Sequence, residues 1–218
     1  MICLGDNSHG QMGLSSGGFT SLGEPGPAAA NYNATLAIAL PSACTPAQVV
    51  PGGSYVCVLC VSGRAACWGE GLRIGSEDTN DVGLAPGDMG NGLAFVDFGT
   101  SRTVKQLYAG VSHTCAILDD DSLKCFGDNN AGELGLGVPY GGWGMFEGQM
   151  GDGLPVVDLG PDVHAVSASL GWEHTCVLLN TTEIKCFGMS ACLCGGARCS
   201  NPMRQMISGS WGTMTLPA

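Results

Sequence analysis

His113-Thr-Cys115-Ala-Ile-Leu118-Asp-Asp-Asp121-Ser-Leu-Lys-Cys125-Phe-Gly127 decides the fold of this chain. Two short runs of strand-forming residues, 114–118 and 122–126, flank three aspartates, which is a hairpin signal. In antiparallel register Leu118 faces Ser122 across a three-residue loop, and Cys115 then faces Cys125. Residues opposed in this way lie close enough for a disulfide, most easily at a non-hydrogen-bonded site. Residues 104–109 read as a further short strand.

The same spacing returns at Cys57 and Cys67 and at Cys176 and Cys186. The first cysteines of the pairs are 58 and 61 residues apart (57 to 115, 115 to 176). Each pair closes on one signature: Cys67-Trp-Gly69, Cys125-Phe-Gly127, Cys186-Phe-Gly188. A fourth copy, Cys3-Leu-Gly5, opens the chain. The unit extends beyond the cysteines. Met89-Gly-Asn-Gly-Leu-Ala-Phe-Val-Asp-Phe-Gly99 is echoed by Met150-Gly-Asp-Gly-Leu-Pro-Val-Val-Asp-Leu-Gly160. Gly127-Asp-Asn-Asn-Ala-Gly-Glu-Leu-Gly135 matches Gly5-Asp-Asn-Ser-His-Gly-Gln-Met-Gly13. Agreement at this many offsets defines a repeat architecture.

The other hairpin tips are Val61-Ser-Gly63 and Asn180-Thr-Thr182. Gly63 suits the left-handed third position of such a loop; Thr182 does not, which predicts a longer or irregular tip there. Each hairpin disulfide stabilises by roughly 3 kcal/mol at most. Thirty-six glycines and eleven prolines leave no convincing helical period. Several short strands per unit and a glycine-aromatic mark in each predict an all-β fold of disulfide-stapled propeller blades.

These motifs resemble the regulator of chromosome condensation repeat family. The resemblance rests on His-Thr-Cys-Ala-Ile-Leu, Lys-Cys-Phe-Gly-Asp-Asn, Gly-Glu-Leu-Gly-Leu-Gly and the Met-Gly-Asp-Gly-Leu-Pro-Val-Val-Asp-Leu-Gly run. It implies blades of a seven-bladed β-propeller. The cysteine-paired form is similar to the variety found in secreted or surface proteins. The propeller domain is predicted over 1–188, with units of about 1–20, 21–75, 76–137 and 138–188. Residues 189–218 form a cysteine-rich segment that reads as the start of a further blade. At roughly 60 residues per unit the chain holds three to four blades, fewer than a closed seven-bladed ring. That predicts a portion of a longer protein or a propeller completed between chains.

Paired cysteines at repeated spacing point to an oxidising compartment, hence to an extracellular or cell-surface location. Only 12% of residues are charged, and the net charge is −11 with eight Lys and Arg. Nucleic-acid binding draws on clusters of basic residues, which the sequence lacks, so no nucleic-acid partner is predicted. No apolar run has the length of a transmembrane helix, so no membrane insertion is predicted. With so little surface charge, solubility calls for attached glycan or burial in an assembly. Asn33-Ala-Thr35 and Asn180-Thr-Thr182 are acceptor sequons for N-linked glycan.

Six cysteines remain: Cys3, Cys44, Cys60, Cys192, Cys194 and Cys199. They allow fifteen connectivities; for Cys192, Cys194 and Cys199 disulfides are favoured over zinc because no histidine lies nearby and the compartment reads as oxidising. His113 and His174 share one offset in successive units; a catalytic histidine is needed once, so both read as blade residues bonded to backbone. Asp97 and Asp158 recur in the same way and read as loop anchors. Asp119-Asp-Asp121 lacks the ligand spacing of a calcium loop and reads as a solvated turn. Trp68, Phe126 and Phe187 read as core. No cofactor, metal site or catalytic residue is predicted.

The functional expectation is therefore a non-enzymatic extracellular scaffold or assembly component, a glycosylated propeller of a cell surface or filament. Its partners are other protein chains, copies of itself included. The alternative is a protein-binding or inhibitory propeller module, similar to propellers that inhibit β-lactamases. Tyr140, Trp143, Phe146 and Trp172 are its candidate contacts. An exchange-factor-like regulator of guanine nucleotides ranks third.

Overall fold

The computed structural model describes residues 5–14, 21–22, 37–138, 140–189 and 213–214. Cys3, Cys192, Cys194, Cys199 and Asn33 lie outside the described residues. Strands β1 (Gly5–Asp6) and β2 (Ser21–Leu22) form a short antiparallel pair. Three antiparallel meanders follow. The first is β3 (Pro46–Pro51), β4 (Tyr55–Cys60) and β5 (Ala65–Gly69). The second is β6 (Val104–Ala109), β7 (His113–Leu118) and β8 (Leu123–Gly127). The third is β9 (Ala165–Leu170), β10 (His174–Leu179) and β11 (Ile184–Gly188), with β12 (Thr213–Met214) added beside β11.

Each meander has a fourth-strand position at its outer edge. Phe95 bridges Ala66, Val156 bridges Lys124, and Thr213 pairs with Lys185. All three partners sit one residue before the second cysteine of a pair. At the inner edge, β6 lies against both β3 and β9, as the inner strands of successive propeller blades do. Gln48 ties the first two blades there: its Nε2 donates to the Leu107 carbonyl at 2.9 Å.

The hairpin register follows from the loop. Leu118 N donates to the Ser122 carbonyl at 2.9 Å, which makes 118 and 122 a hydrogen-bonded pair. Alternation then puts Cys115 opposite Cys125 at a non-hydrogen-bonded site. The Cys115–Cys125 disulfide has a Cα–Cα distance of 4.1 Å, and Cys57–Cys67 and Cys176–Cys186 repeat it. A fourth disulfide joins Cys44 to Cys60.

The core lies between blades rather than within one. Odd-numbered residues of β4 and β7 point toward the following blade and even-numbered ones toward the preceding side, as the period of two requires. Tyr55, Cys57 and Leu59 thus pack with Leu107, Ala116, Leu118 and Phe126 of the second blade. Cys115 and Ile117 pack with Val177, Leu179 and Phe187 of the third. Val56, Val58 and Cys60 form a layer with Ile38, Cys44 and Trp68 on the other side of β4. This parity explains the fourth disulfide: Cys60 is an odd step from Cys57, so it faces away from Cys67 and toward Cys44.

Two expectations are corrected. Thr182 does not lengthen its tip. It takes the left-handed position with φ 68°, where Gly63 has φ 78° and Asp121 φ 64°, and the loop closes as in the other blades. The His113 ring bonds no backbone group among the described residues; its partner is a side-chain hydroxyl of the next blade.

Candidate protein-binding rim

A meander has two ends, so the row of blades has two rims. One carries the connections between the first and second strands: Gly52-Gly-Ser54, Gly110-Val-Ser112 and Gly171-Trp-Glu173. Each begins on a glycine because a ring folds back over it. A Cβ at Gly52 would lie 2.1 Å from Tyr55 Cε1, at Gly110 2.9 Å from His113 Cε1, and at Gly171 2.2 Å from His174 Cε1. The loops are bonded in series, Gly53 N donating to the Val111 carbonyl at 3.1 Å and Val111 N to the Gly171 carbonyl at 3.2 Å.

Loops leaving the third strands complete this rim. Asp128 N donates to the Ser112 carbonyl at 3.0 Å, and Ser112 Oγ donates to the Trp172 carbonyl at 3.4 Å. The 128–140 loop folds back on Asn129, whose carbonyl accepts from Tyr140 N at 3.2 Å and whose Nδ2 donates to the Val138 carbonyl at 2.7 Å. Arg73 crosses from the first blade to the second. Its guanidinium lies 2.7 Å from Glu70 and 3.6 Å from Asp128 and donates to the Val111 carbonyl. Burial raises the Asp128 carboxyl above its ordinary value, and Arg73 opposes that.

Large apolar side chains stand exposed on this framework: Trp172 at 70%, Tyr140 at 67%, Val138 at 53% and Val111 at 37%. Phe146 is also exposed, on the outer edge, where its backbone N donates to Gln149 Oε1. Trp143 is different. It pairs with Gly127 through two backbone hydrogen bonds of 2.8 Å, its Nε1 donates to the Gln149 carbonyl at 2.7 Å, and its ring packs against the core. The rim thus gathers Tyr140 and Trp172 and leaves Trp143 a packing residue. Val111 escaped the sequence reading, although it holds the same offset in Gly110-Val-Ser-His as Trp172 in Gly171-Trp-Glu-His.

Successive blades are latched by repeated contacts. Tyr55 Oη donates to the His113 carbonyl at 2.6 Å and accepts from Thr114 Oγ1 at 2.9 Å. His113 Nε2 lies 2.7 Å from Thr175 Oγ1. His174, next in the series, stands exposed with Leu178 and Cys186 on the far face of the third blade. The glycine-rich loops reach forward as well. Gly13, Gly75 and Gly135 lie against the rings of Trp68, Phe126 and Phe187, one blade on. These aromatics are therefore occupied by backbone.

The opposite rim holds the hairpin tips, which are polar apart from Val61, 71% exposed at the first tip. Arg102 lies 3.3 Å from Asp119 and 2.8 Å from Asp120, and Lys105 lies 2.7 Å from Asp121. Asp120 also accepts from Ser122 Oγ at 2.6 Å. The aspartate run is a turn whose three carboxylates are partly offset by two cations. Among the described residues no three side chains of ligand type converge on a metal site. Asp97 and Asp158 each accept from the glycine N–H two residues on, at 2.8 Å. Asn180 is exposed at its tip.

Residues 104–133 match the family profile described as the Regulator of chromosome condensation (RCC1) repeat. Solved structures share the fold. Prp20p from Saccharomyces cerevisiae superposes with a TM-score of 0.57 at 15% identity, over 95% of this chain and 45% of that one. Human WBSCR16 gives 0.53 at 17% identity, over 85% of this chain and 42% of that one. Yeast RCC1 (Prp20), solved bound to Kap60, gives 0.50 at 21% identity, over 70% and 32%. At these identities the likeness is one of fold. The chain spans less than half the length of each relative. No curated protein sequence matches it.

Proposed function

We propose that this chain, whose 104–133 segment matches the regulator of chromosome condensation repeat and whose blades share that propeller fold, is a non-enzymatic, protein-binding component of an extracellular or cell-surface assembly. The observation that carries this reading is the rim bearing Val111, Val138, Tyr140 and Trp172. Exposed apolar side chains gathered on a rigid base mark interaction sites, and aromatic residues dominate binding energy at protein interfaces. The base is rigid because glycine-ring loops, inter-blade latches and disulfides hold it.

Four disulfides support an oxidising compartment. The far face of the third blade supports assembly. Its Leu178 is exposed, whereas Leu59 and Ile117, the matching residues of the earlier blades, are buried. Cover by another blade of the same kind, such as one from a second copy, would remove that apolar surface from water. The reading takes copies of the chain as its first partners.

Sedimentation velocity of the oxidised full chain over a concentration series tests this. Self-association is expected, weakened at least tenfold by Trp172→Ser with Tyr140→Ser. A single monomeric species at every concentration, identical in the double variant, would overturn the assembly reading. A second reading, one-to-one binding of a different soluble protein, is favoured by the solved Prp20–Kap60 complex. A tight heteromeric complex without self-association would select it.

A further inference from the structure

The three hairpin tips are superimposable in their bonding but differ in two residues of the last one. At the first loop position stand Val61, Asp119 and Asn180. At the third stand Gly63, Asp121 and Thr182, all left-handed. The third-position N–H closes each turn on the last strand residue: Gly63 N to the Cys60 carbonyl at 2.9 Å, Asp121 N to Leu118 at 3.0 Å, Thr182 N to Leu179 at 2.9 Å. Glycine adopts this conformation freely and aspartate tolerates it. A β-branched residue there is an outlier. Thr182 is exposed, and its hydroxyl bonds to no described residue, so packing does not account for it.

The first position departs in a matching way. Asp119 Oδ1 accepts from Thr103 N at 3.1 Å, and Asn180 Oδ1 accepts from His164 N at the same distance. The carbonyl of Asn180 therefore does the structural work that a carboxylate does one blade earlier. What asparagine adds is the amide Nδ2, whose one described contact is a long 3.5 Å approach to the Asp162 carbonyl. An asparagine amide at the first position and a threonine hydroxyl at the third are the two requirements of an N-glycosylation acceptor.

We propose that the last hairpin tip is an N-glycan acceptor: Asn180 Nδ2 carries the sugar, and Thr182 is retained in a strained conformation because the acceptor requires it. The bond formed joins Nδ2 to the anomeric carbon of an oligosaccharide carried on a polyprenyl pyrophosphate. The bond broken is the anomeric carbon–oxygen bond to that pyrophosphate, and one amide proton leaves with the released lipid pyrophosphate. The remaining amide hydrogen and Oδ1 keep the contacts described. The glycan projects from the rim of hairpin tips, opposite the apolar one, and leaves Trp172 and Tyr140 accessible.

This inference rests on the oxidising-compartment reading, and one experiment separates the two. The full chain is secreted from a eukaryotic host and its intact mass measured before and after peptide N-glycosidase, with thiols counted independently. Peptide mapping is expected to find glycan at Asn180 in the wild type and in Thr182→Ser, and none in Thr182→Gly. With Asn180→Asp in every protein, which removes the glycan and keeps the Oδ1 acceptor, Thr182→Gly is expected to fold with an equilibrium constant about fivefold or more above the protein that keeps Thr182, because the backbone strain is gone. Intact disulfides with Asn180 unmodified would overturn the acceptor and leave the compartment standing. Free thiols at the paired cysteines would overturn both. A Thr182→Gly protein no more stable than the one that keeps Thr182 would overturn the strain argument.

Discussion

His113 Nε2 lies 2.7 Å from Thr175 Oγ1, across the boundary between the second and third blades. The threonine hydroxyl donates its one proton to the Glu133 carbonyl at 2.9 Å. It must therefore accept from His113, which fixes the proton on Nε2 and leaves Nδ1 bare. Nδ1 is buried without a partner, so the ring is neutral. Burial pushes its pKa down to about 4, with His174 adding to the effect.

The latch makes stability depend on pH. The unfolded histidine titrates near 6.5, so as pH falls the unfolded chain takes up the proton first. The contribution of neutral His113 is complete above pH 6.5 and is lost as pH falls toward 4. The full loss is about 3 kcal/mol. Urea midpoints measured from pH 7 to 4.5 are expected to fall, and His113→Phe to flatten the curve over that window. An unchanged slope in the variant would refute the assignment.

Gly135 and Gly132 share one turn but not one environment. Both have positive φ, 69° and 85°. A Cβ at Gly132 would meet nothing within 4 Å, whereas at Gly135 it would lie 2.7 Å from Phe187 Cε2. Gly132→Ala is expected to cost about 1 kcal/mol from backbone strain alone. Gly135→Ala adds a steric clash between blades of about 1–3 kcal/mol. Chemical denaturation of the two variants measures the difference, and equal losses would refute the contact.

Access orders the disulfides. Cys115, Cys125 and Cys57 are fully buried, while Cys186 is exposed and Cys176 half-buried. Thiol–disulfide exchange needs the attacking thiolate to reach sulfur. Under limiting reductant, Cys176–Cys186 is expected to open first, read by differential alkylation and mass spectrometry. Earlier labelling of Cys115 would contradict this burial pattern.

Lys124 anchors the outer segment to its blade. Its ammonium donates to the Phe98 carbonyl at 2.8 Å and the Gly151 carbonyl at 2.9 Å, and desolvation lowers its pKa. Lys124→Met leaves two carbonyls without their donor, an expected loss of about 2–3 kcal/mol. Lys185, which reaches the Leu159 carbonyl from a half-buried position, is expected to tolerate the same change better. Thermal denaturation of both variants tests the order.

The amino-acid sequence by itself determined the hairpins, their register and the partners of Cys57, Cys115 and Cys176. These are local features: a three-residue loop and a side-chain period of two settle which residues oppose within a dozen positions. Tertiary structure alone decided the rest. Cys44 reaches Cys60 only because β3 folds beside β4, although the odd step from Cys57 already told which way Cys60 faces. Trp143 and Trp172 read alike as sequence, but one is held against Gly127 and the other stands free on a rim. His113 finds Thr175 62 residues away. Thr182 accepts a backbone conformation its own chemistry disfavours, because the strands on either side are already fixed by neighbours. Local preferences are worth about 1 kcal/mol per residue, and the burial of whole blade faces outweighs them.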